Sequence, residues 1–125
     1  MVPEDKLYKK LRKVCKKFSW IRIENLSSLG TPDLLGYNTS GTFFTLELKV
    51  TKGNKVRFSP HQIAFHKKHK KNTFILVEAL GQRSSKLFYL IPGSRIPELV
   101  ACGLSKLDAC SLTLDACCLK LQNLN

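Results

Sequence analysis

Two β-prone runs with one helix start between them limit most strongly how this chain can fold. Phe43-Phe44-Thr45-Leu46-Glu47-Leu48-Lys49-Val50 reads as one strand and Thr73-Phe74-Ile75-Leu76-Val77 as another. Between them Ser59-Pro60 reads as a helix start. Serine is a favoured N-cap, and proline suits the first helical position, where an N–H would lack a partner anyway. The helix is expected to run to about Lys70. A strand, a crossover helix and a second strand predict parallel pairing of the two runs. The second run is continuously apolar, as a central strand covered on both faces requires.

The rest of the chain fits around that unit. Residues 4 to 18 read as an amphipathic helix, with Leu7, Leu11, Val14, Cys15 and Phe18 facing inward. Lys6, Lys9, Lys10, Lys13 and Lys17 lie on its other side, as a solvated face or as a contact surface for a nucleic-acid backbone. Trp20 to Glu24 alternates and reads as a first strand. Leu34 to Tyr37 is a short apolar run, and the turn chemistry of Asn38 to Gly41 joins it to the Phe43 strand as a hairpin. Lys86 to Ile91 reads as a further strand, and Ile96 to Ala101 as a short helix ending at Gly103. Residues 105 to 122 are apolar but have no clear period. The order predicts an α/β (α+β) domain with a central mixed β-sheet flanked by helices.

With 125 residues the chain is long enough for one core, so residues 1–125 are expected to form a single domain, with a C-terminal extension over 92–125. Hydrophobic content of 43% and charged content of 24% are ordinary for a globular protein. The charge balance is not ordinary: 21 Lys and Arg stand against nine Asp and Glu, a net charge of +12. Such a balance points to a polyanionic partner, of which nucleic acid is the commonest. The five cysteines form no C-x-x-C pair and are odd in number, so free thiols in a reducing compartment are expected, with neither a zinc site nor a disulfide framework. No secretory signal and no apolar run long enough to span a bilayer is visible, and a cytoplasmic location is expected.

The chemistry concentrates at Gly30-Thr31-Pro32-Asp33, Glu47-Leu48-Lys49 and Ser59-Pro60-His61-Gln62. Period 2 puts Glu47 and Lys49 on one face of their strand, with Leu46, Leu48 and Val50 on the other. The hairpin brings Asp33 near Glu47. Paired acids beside a basic surface repel DNA unless a cation lies between them. Taken singly, Glu47 and Lys49 read equally as a surface ion pair, and Asp33 as a turn residue. His61 reads as an exposed helix residue or a catalytic one, and His66 and His69 read as surface.

This ordered set resembles the PD-(D/E)XK nuclease superfamily, with Pro32-Asp33 as its "PD" and Glu47-Leu48-Lys49 as its "ExK". The resemblance covers roughly residues 4 to 91. The Gly-Thr before Pro32 and the Ser-Pro-His-Gln element look most like the small branch of Holliday junction resolvases and VRR-NUC proteins. The resemblance implies a restriction-endonuclease-like fold and a Mg²⁺-dependent DNA endonuclease, with Mn²⁺ substituting. It implies Asp33, Glu47 and the Leu48 carbonyl as metal ligands, and Asp33, Glu47, Lys49 and Gln62 as catalytic residues. Lys49 would stabilise developing negative charge or position water. Relatives carry a further acid on the first helix, for which Glu4 is the better match and Asp5 the other choice. Glu24 could join the site from the first strand. Lys9, Lys13, Lys17, Arg22, Lys52, Lys55 and Arg57 are the expected DNA contacts. The resolvase branch implies a homodimer that nicks branched DNA, and short chains of this kind are often carried by phages. A dimer interface is expected at Phe88 or around Leu112, Leu114 and Leu119. Alternatives are a monomeric nicking, repair or homing-type endonuclease, and a non-catalytic nucleic-acid-binding module.

Overall fold

In the computed structural model the described residues are 3–23, 30–81, 87–105 and 111–124. Helix α1 spans Pro3–Val14, followed by strands β1 (Ser19–Arg22), β2 (Leu34–Tyr37) and β3 (Phe43–Thr51). Helix α2 (Pro60–Lys68), β4 (Thr73–Ala79), β5 (Leu87–Pro92), a 3-10 turn (Gly93–Arg95), α3 (Ile96–Cys102), β6 (Ser111–Leu112) and α4 (Leu114–Gln122) complete it. The six strands form one sheet in sequence order. Strands β3 and β4 pair in parallel across the α2 crossover, and every other neighbouring pair is antiparallel. This mixed sheet flanked by helices is the expected α+β arrangement.

Side-chain alternation divides the core into two layers. On one face Leu46 and Leu48 of β3, with Leu76 and Leu90, pack against Leu7 and Leu11 of α1 and Cys117 and Leu121 of α4. On the other face Ile75, Val77, Tyr89 and Ile91 pack against Ile96 and Leu99 of α3 and Val56. Fully burying a side chain such as Leu46 contributes about 1.5–3 kcal/mol. β4 is buried nearly throughout, as its unbroken apolar run predicts.

Several expectations need correction. Helix α1 ends at Val14, short of Phe18. The chain turns back there, and the Phe18 ring reaches the core by packing 5.7 Å from Trp20 and 6.0 Å from Phe44. Helical periodicity therefore overshot the helix. Helix α2 ends at Lys68, close to the expected Lys70: His69 is already extended, and Asn72 takes a positive φ just before β4. Lys10 is not part of a solvated stripe: it pairs at 2.5 Å with Glu78, a buried acid on β4. His66 is not on the surface but fully buried.

The untyped C-terminal stretch contains α4, which closes the chain's own core through Leu114, Cys117 and Leu121. Asn38 of the β2–β3 turn anchors it. The Asn38 amide donates to the Leu121 carbonyl at 2.9 Å, while its Oδ1 accepts from the Ser40 and Thr42 backbone N–H groups. Two residues expected at a dimer interface, Phe88 and Leu114, lie in this core, whereas Leu119 is exposed. The side chain of Leu112 falls outside what is described. Cys15, just beyond α1, is disulfide-linked to Cys118 of α4. The expectation of free thiols missed this because the two positions are 103 residues apart and meet only when the helices pack. Cys102 and Cys117 are free, and Cys110 lies outside the described residues. Among the described residues no helix is long and apolar enough to cross a membrane.

Candidate active site

Three chain segments converge on one cleft because of how they are paired. The β2–β3 ladder runs to Leu34 opposite Leu46, so Asp33 arrives one step further, at the level of Glu47. Asp33 Oδ2 accepts a 2.8 Å hydrogen bond from the Leu48 backbone N–H, which fixes the carboxylate against β3. N–H and C=O of a strand residue project to the same edge, so the Leu48 carbonyl also faces the Asp33 side. Glu4, Asp5, Arg22, Asp33, Glu47, Lys49 and Gln62 line this cleft, whose volume is about 360 Å³.

Helix α2 supplies the next layer of contacts. Ser59 caps it: Ser59 Oγ accepts from the Gln62 N–H at 3.1 Å, and the Ser59 N–H donates to Gln62 Oε1 at 3.0 Å. This reciprocal capping box satisfies two helix-end donors and fixes the Gln62 side chain. The same Oε1 accepts from Lys49 Nζ at 3.1 Å, and Gln62 Nε2 donates to Glu47 Oε2 at 3.2 Å. One amide therefore orients both members of the Glu47–Lys49 pair. Lys49 is steadied further by the Phe58 ring, 4.9 Å from its ammonium.

Gly30 brings the Gly-Thr-Pro-Asp segment against this helix. It has φ +85°, and a Cβ there would sit 2.2 Å from the His61 carbonyl oxygen and 2.7 Å from the Gln62 nitrogen. Only a residue without a side chain lets the segment leading to Asp33 lie on the first turn of α2.

Glu47 is the electrostatic centre of the cleft. It is only 2% exposed, so it is not half of a surface ion pair. Burial, above all, lifts its pKa from 4.5 to about 9; the Asp33 charge and hydrogen bond and the more distant Glu4 charge also raise it, and Lys49 opposes them. Its Oε1 is buried without a hydrogen-bond partner. An acid held this way is deficient in positive charge, and a divalent cation would supply it. Among the described residues no three His, Cys, Asp or Glu are grouped to hold a metal ion. Mg²⁺ needs no such cage, since it binds through one or two carboxylates and keeps several waters. Asp33, Glu47 and the Leu48 carbonyl therefore fit a hard divalent cation.

The remaining sequence-derived residues divide by position. Glu4 lines the cleft, but Asp5 is paired with Arg22. Arg22 is thus a braced wall of the site, with its guanidinium also 5.6 Å from the Tyr8 ring. Lys52, Lys55 and Arg57 border an adjoining groove that shares Glu4 and Lys49 with the cleft. Lys9 and Lys13 recede along α1: Lys13 is nine positions beyond Glu4, about 14 Å at 1.5 Å per residue. Lys17 lies past the helix end. His61 and His69 are exposed. Glu24 lies outside the described residues.

His66 was missed as a support. It is one helical turn beyond Gln62, and its Nδ1 lies 2.9 Å from the Gln62 carbonyl oxygen. That contact requires a proton on Nδ1, and burial keeps the imidazole's pKa below its usual value. The i, i+4 spacing was the readable signal. A larger cavity, about 560 Å³, opens between Phe18, Cys118 and Leu119 and contains none of the cleft residues.

A scan against protein-family models finds no match, and a search of curated proteins finds none either. Among solved structures the chain is similar to Archaeoglobus fulgidus Hjc, a Holliday junction resolvase from an archaeal hyperthermophile. The two are 20% identical, with 71% of this chain and 72% of the other covered and a TM-score of 0.48.

Proposed function

We propose that this chain is a Mg²⁺-dependent DNA endonuclease of the PD-(D/E)XK type, active on branched DNA as a homodimer, with Mn²⁺ able to replace Mg²⁺. The observation that carries the reading is the buried Glu47 carboxyl, beside Asp33, with one oxygen unpartnered and Lys49 two residues along the same strand face. A purely nucleic-acid-binding surface gains nothing from burying an ionisable acid there, because its burial costs stability that only a bound cation would offset.

Asp33, Glu47 and the Leu48 carbonyl would hold the cation, which supplies charge neutralisation at the phosphate and a more acidic water. The chain's own residues do the rest. Gln62 holds Lys49 with its ammonium at the cleft, where it stabilises negative charge developing on a phosphate oxygen. The Leu48 N–H keeps Asp33 from rotating away. Pre-set hydrogen bonds of this kind avoid reorganisation during the reaction.

A monomeric nicking or repair enzyme is the second reading, favoured by the burial of Phe88 and Leu114 in the chain's own core. Labelled four-way junction, flap and linear duplex, each incubated with Mg²⁺, Mn²⁺ or EDTA, test both. Metal-dependent cutting with a junction preference is expected. No cutting of any substrate with either metal would refute the nuclease reading. Sedimentation at micromolar concentration, with and without junction, separates dimer from monomer.

A further inference from the structure

The groove beside the acidic cleft has the opposite electrostatic character. Its cations are Lys49, Lys52, Lys55 and Arg57, against the single acid Glu4. The cleft itself gathers Glu4, Asp5, Asp33 and Glu47 against Arg22 and Lys49. Among the described residues Lys52, Lys55 and Arg57 have no carboxylate partner. The two depressions meet at Glu4 and Lys49.

The loop carrying these cations is held in place from within and from a neighbouring element. The Thr51 hydroxyl donates to the Lys55 carbonyl at 2.9 Å, closing the loop on itself. Asn54 binds it to the end of α3: its amide donates to the Cys102 carbonyl at 3.2 Å, its Oδ1 accepts from the Ser105 N–H, and its carbonyl accepts from the Leu104 N–H at 2.8 Å. Gly103 is required for that fit, with φ +70° and only 2.4 Å between a hypothetical Cβ and the Asn54 amide nitrogen. Val56 then plugs the loop into the core. Lysines kept only for solubility need no such anchoring. A ligand site gains affinity from it, because ordering is completed before binding.

We propose that this groove is a subsite for one backbone phosphate of the bound strand, at a fixed offset from the bond presented to Asp33 and Glu47. The inference rests on the nuclease reading and adds a register to it: the strand passes from the acidic cleft directly into a rigid cationic pocket. Lys52, Lys55 and Arg57 meet the flanking phosphate, and Lys49 stands between the two positions. The α1 lysines, further from the cleft, make no contact at that offset.

The test neutralises single phosphates. Methylphosphonate linkages are placed one at a time around a mapped cleavage position in a labelled junction, and single-turnover cutting at that bond is followed. With the native sequence, one offset is expected to slow cutting about tenfold, the loss typical of a charge-assisted hydrogen bond. In the Lys52→Ala/Lys55→Ala/Arg57→Ala variant the same linkage is expected to have less than a twofold effect. Equal sensitivity in both proteins, or no offset-specific sensitivity, overturns the subsite. Should the native chain cut nothing, the nuclease reading fails, and the salt dependence of junction binding still decides the subsite. The triple variant is expected to flatten the log–log slope by about 0.9 for the one phosphate it no longer neutralises. An unchanged slope overturns it. The three side chains are exposed, so thermal midpoints of the variant and the native protein should agree.

Discussion

Replacing Glu47 by Gln is expected to stabilise the metal-free protein while removing its activity. The raised pKa makes Glu47 a destabilising group at neutral pH. In the unfolded chain it ionises near 4.5, and in the folded chain near 9. Its contribution to stability is therefore complete below pH 4.5, declines as pH rises through that window, and levels off above about 9. At pH 7 the unfolded chain has gained about 2.5 powers of ten of ionisation that the folded chain has not, at 1.36 kcal/mol each. The loss is thus of order 3 kcal/mol. Glutamine keeps the shape and cannot ionise, so urea denaturation in EDTA should show the native protein weakening from pH 5 to pH 9 and Glu47→Gln nearly flat. Saturating Mg²⁺ should recover stability in the native protein and much less in the variant. Parallel pH profiles for the two proteins in EDTA would refute the assignment of a strained buried acid.

Asp33→Asn is expected to abolish cutting and to leave junction binding intact or tighter; near-normal cutting at saturating Mg²⁺ would contradict the role given to it. Lys49→Ala should lose most turnover while destabilising by only about 1 kcal/mol, since its ties are a hydrogen bond to Gln62 and the Phe58 ring. Unfolding of this variant by circular dichroism would make the residue structural. Gly30→Ala combines a positive φ with overlap on the His61 carbonyl, so it should destabilise by about 3 kcal/mol or displace the first turn of α2, as thermal melts and cleavage rates will report. Replacing Lys9, Lys13 and Lys17 with alanine should flatten the salt slope of binding by about 0.9 for each phosphate left without its cation, and an unchanged slope would leave that helix face simply solvated.

Much of the fold was written locally. The apolar run of β4, the Ser59–Pro60 start of α2 and the turn at Asn38–Gly41 are each decided by a few adjacent residues, through burial, capping and turn geometry. They dictated a parallel β3–β4 pair and an antiparallel β2–β3 hairpin. Period 2 likewise put Glu47 and Lys49 on one strand face. The ends of elements were less legible, because Phe18 continues the apolar spacing of α1 although the chain has already turned.

What sequence could not decide was whatever depends on two distant segments meeting. Glu47 is buried where the start of α1, the Asp33 segment and Gln62 of α2 converge on β3, so a residue that reads equally well as exposed becomes the most perturbed acid of the cleft. The resemblance named Gln62 as a site residue, but only the meeting of α2 with β3 makes one amide cap the helix and brace both Glu47 and Lys49. The Lys10–Glu78 pair, the Cys15–Cys118 link and the anchoring of Asn54 to the end of α3 have the same origin. Residue type and spacing determined which groups this chain has for its chemistry. Tertiary packing determined their solvation, and solvation sets how strongly charge acts.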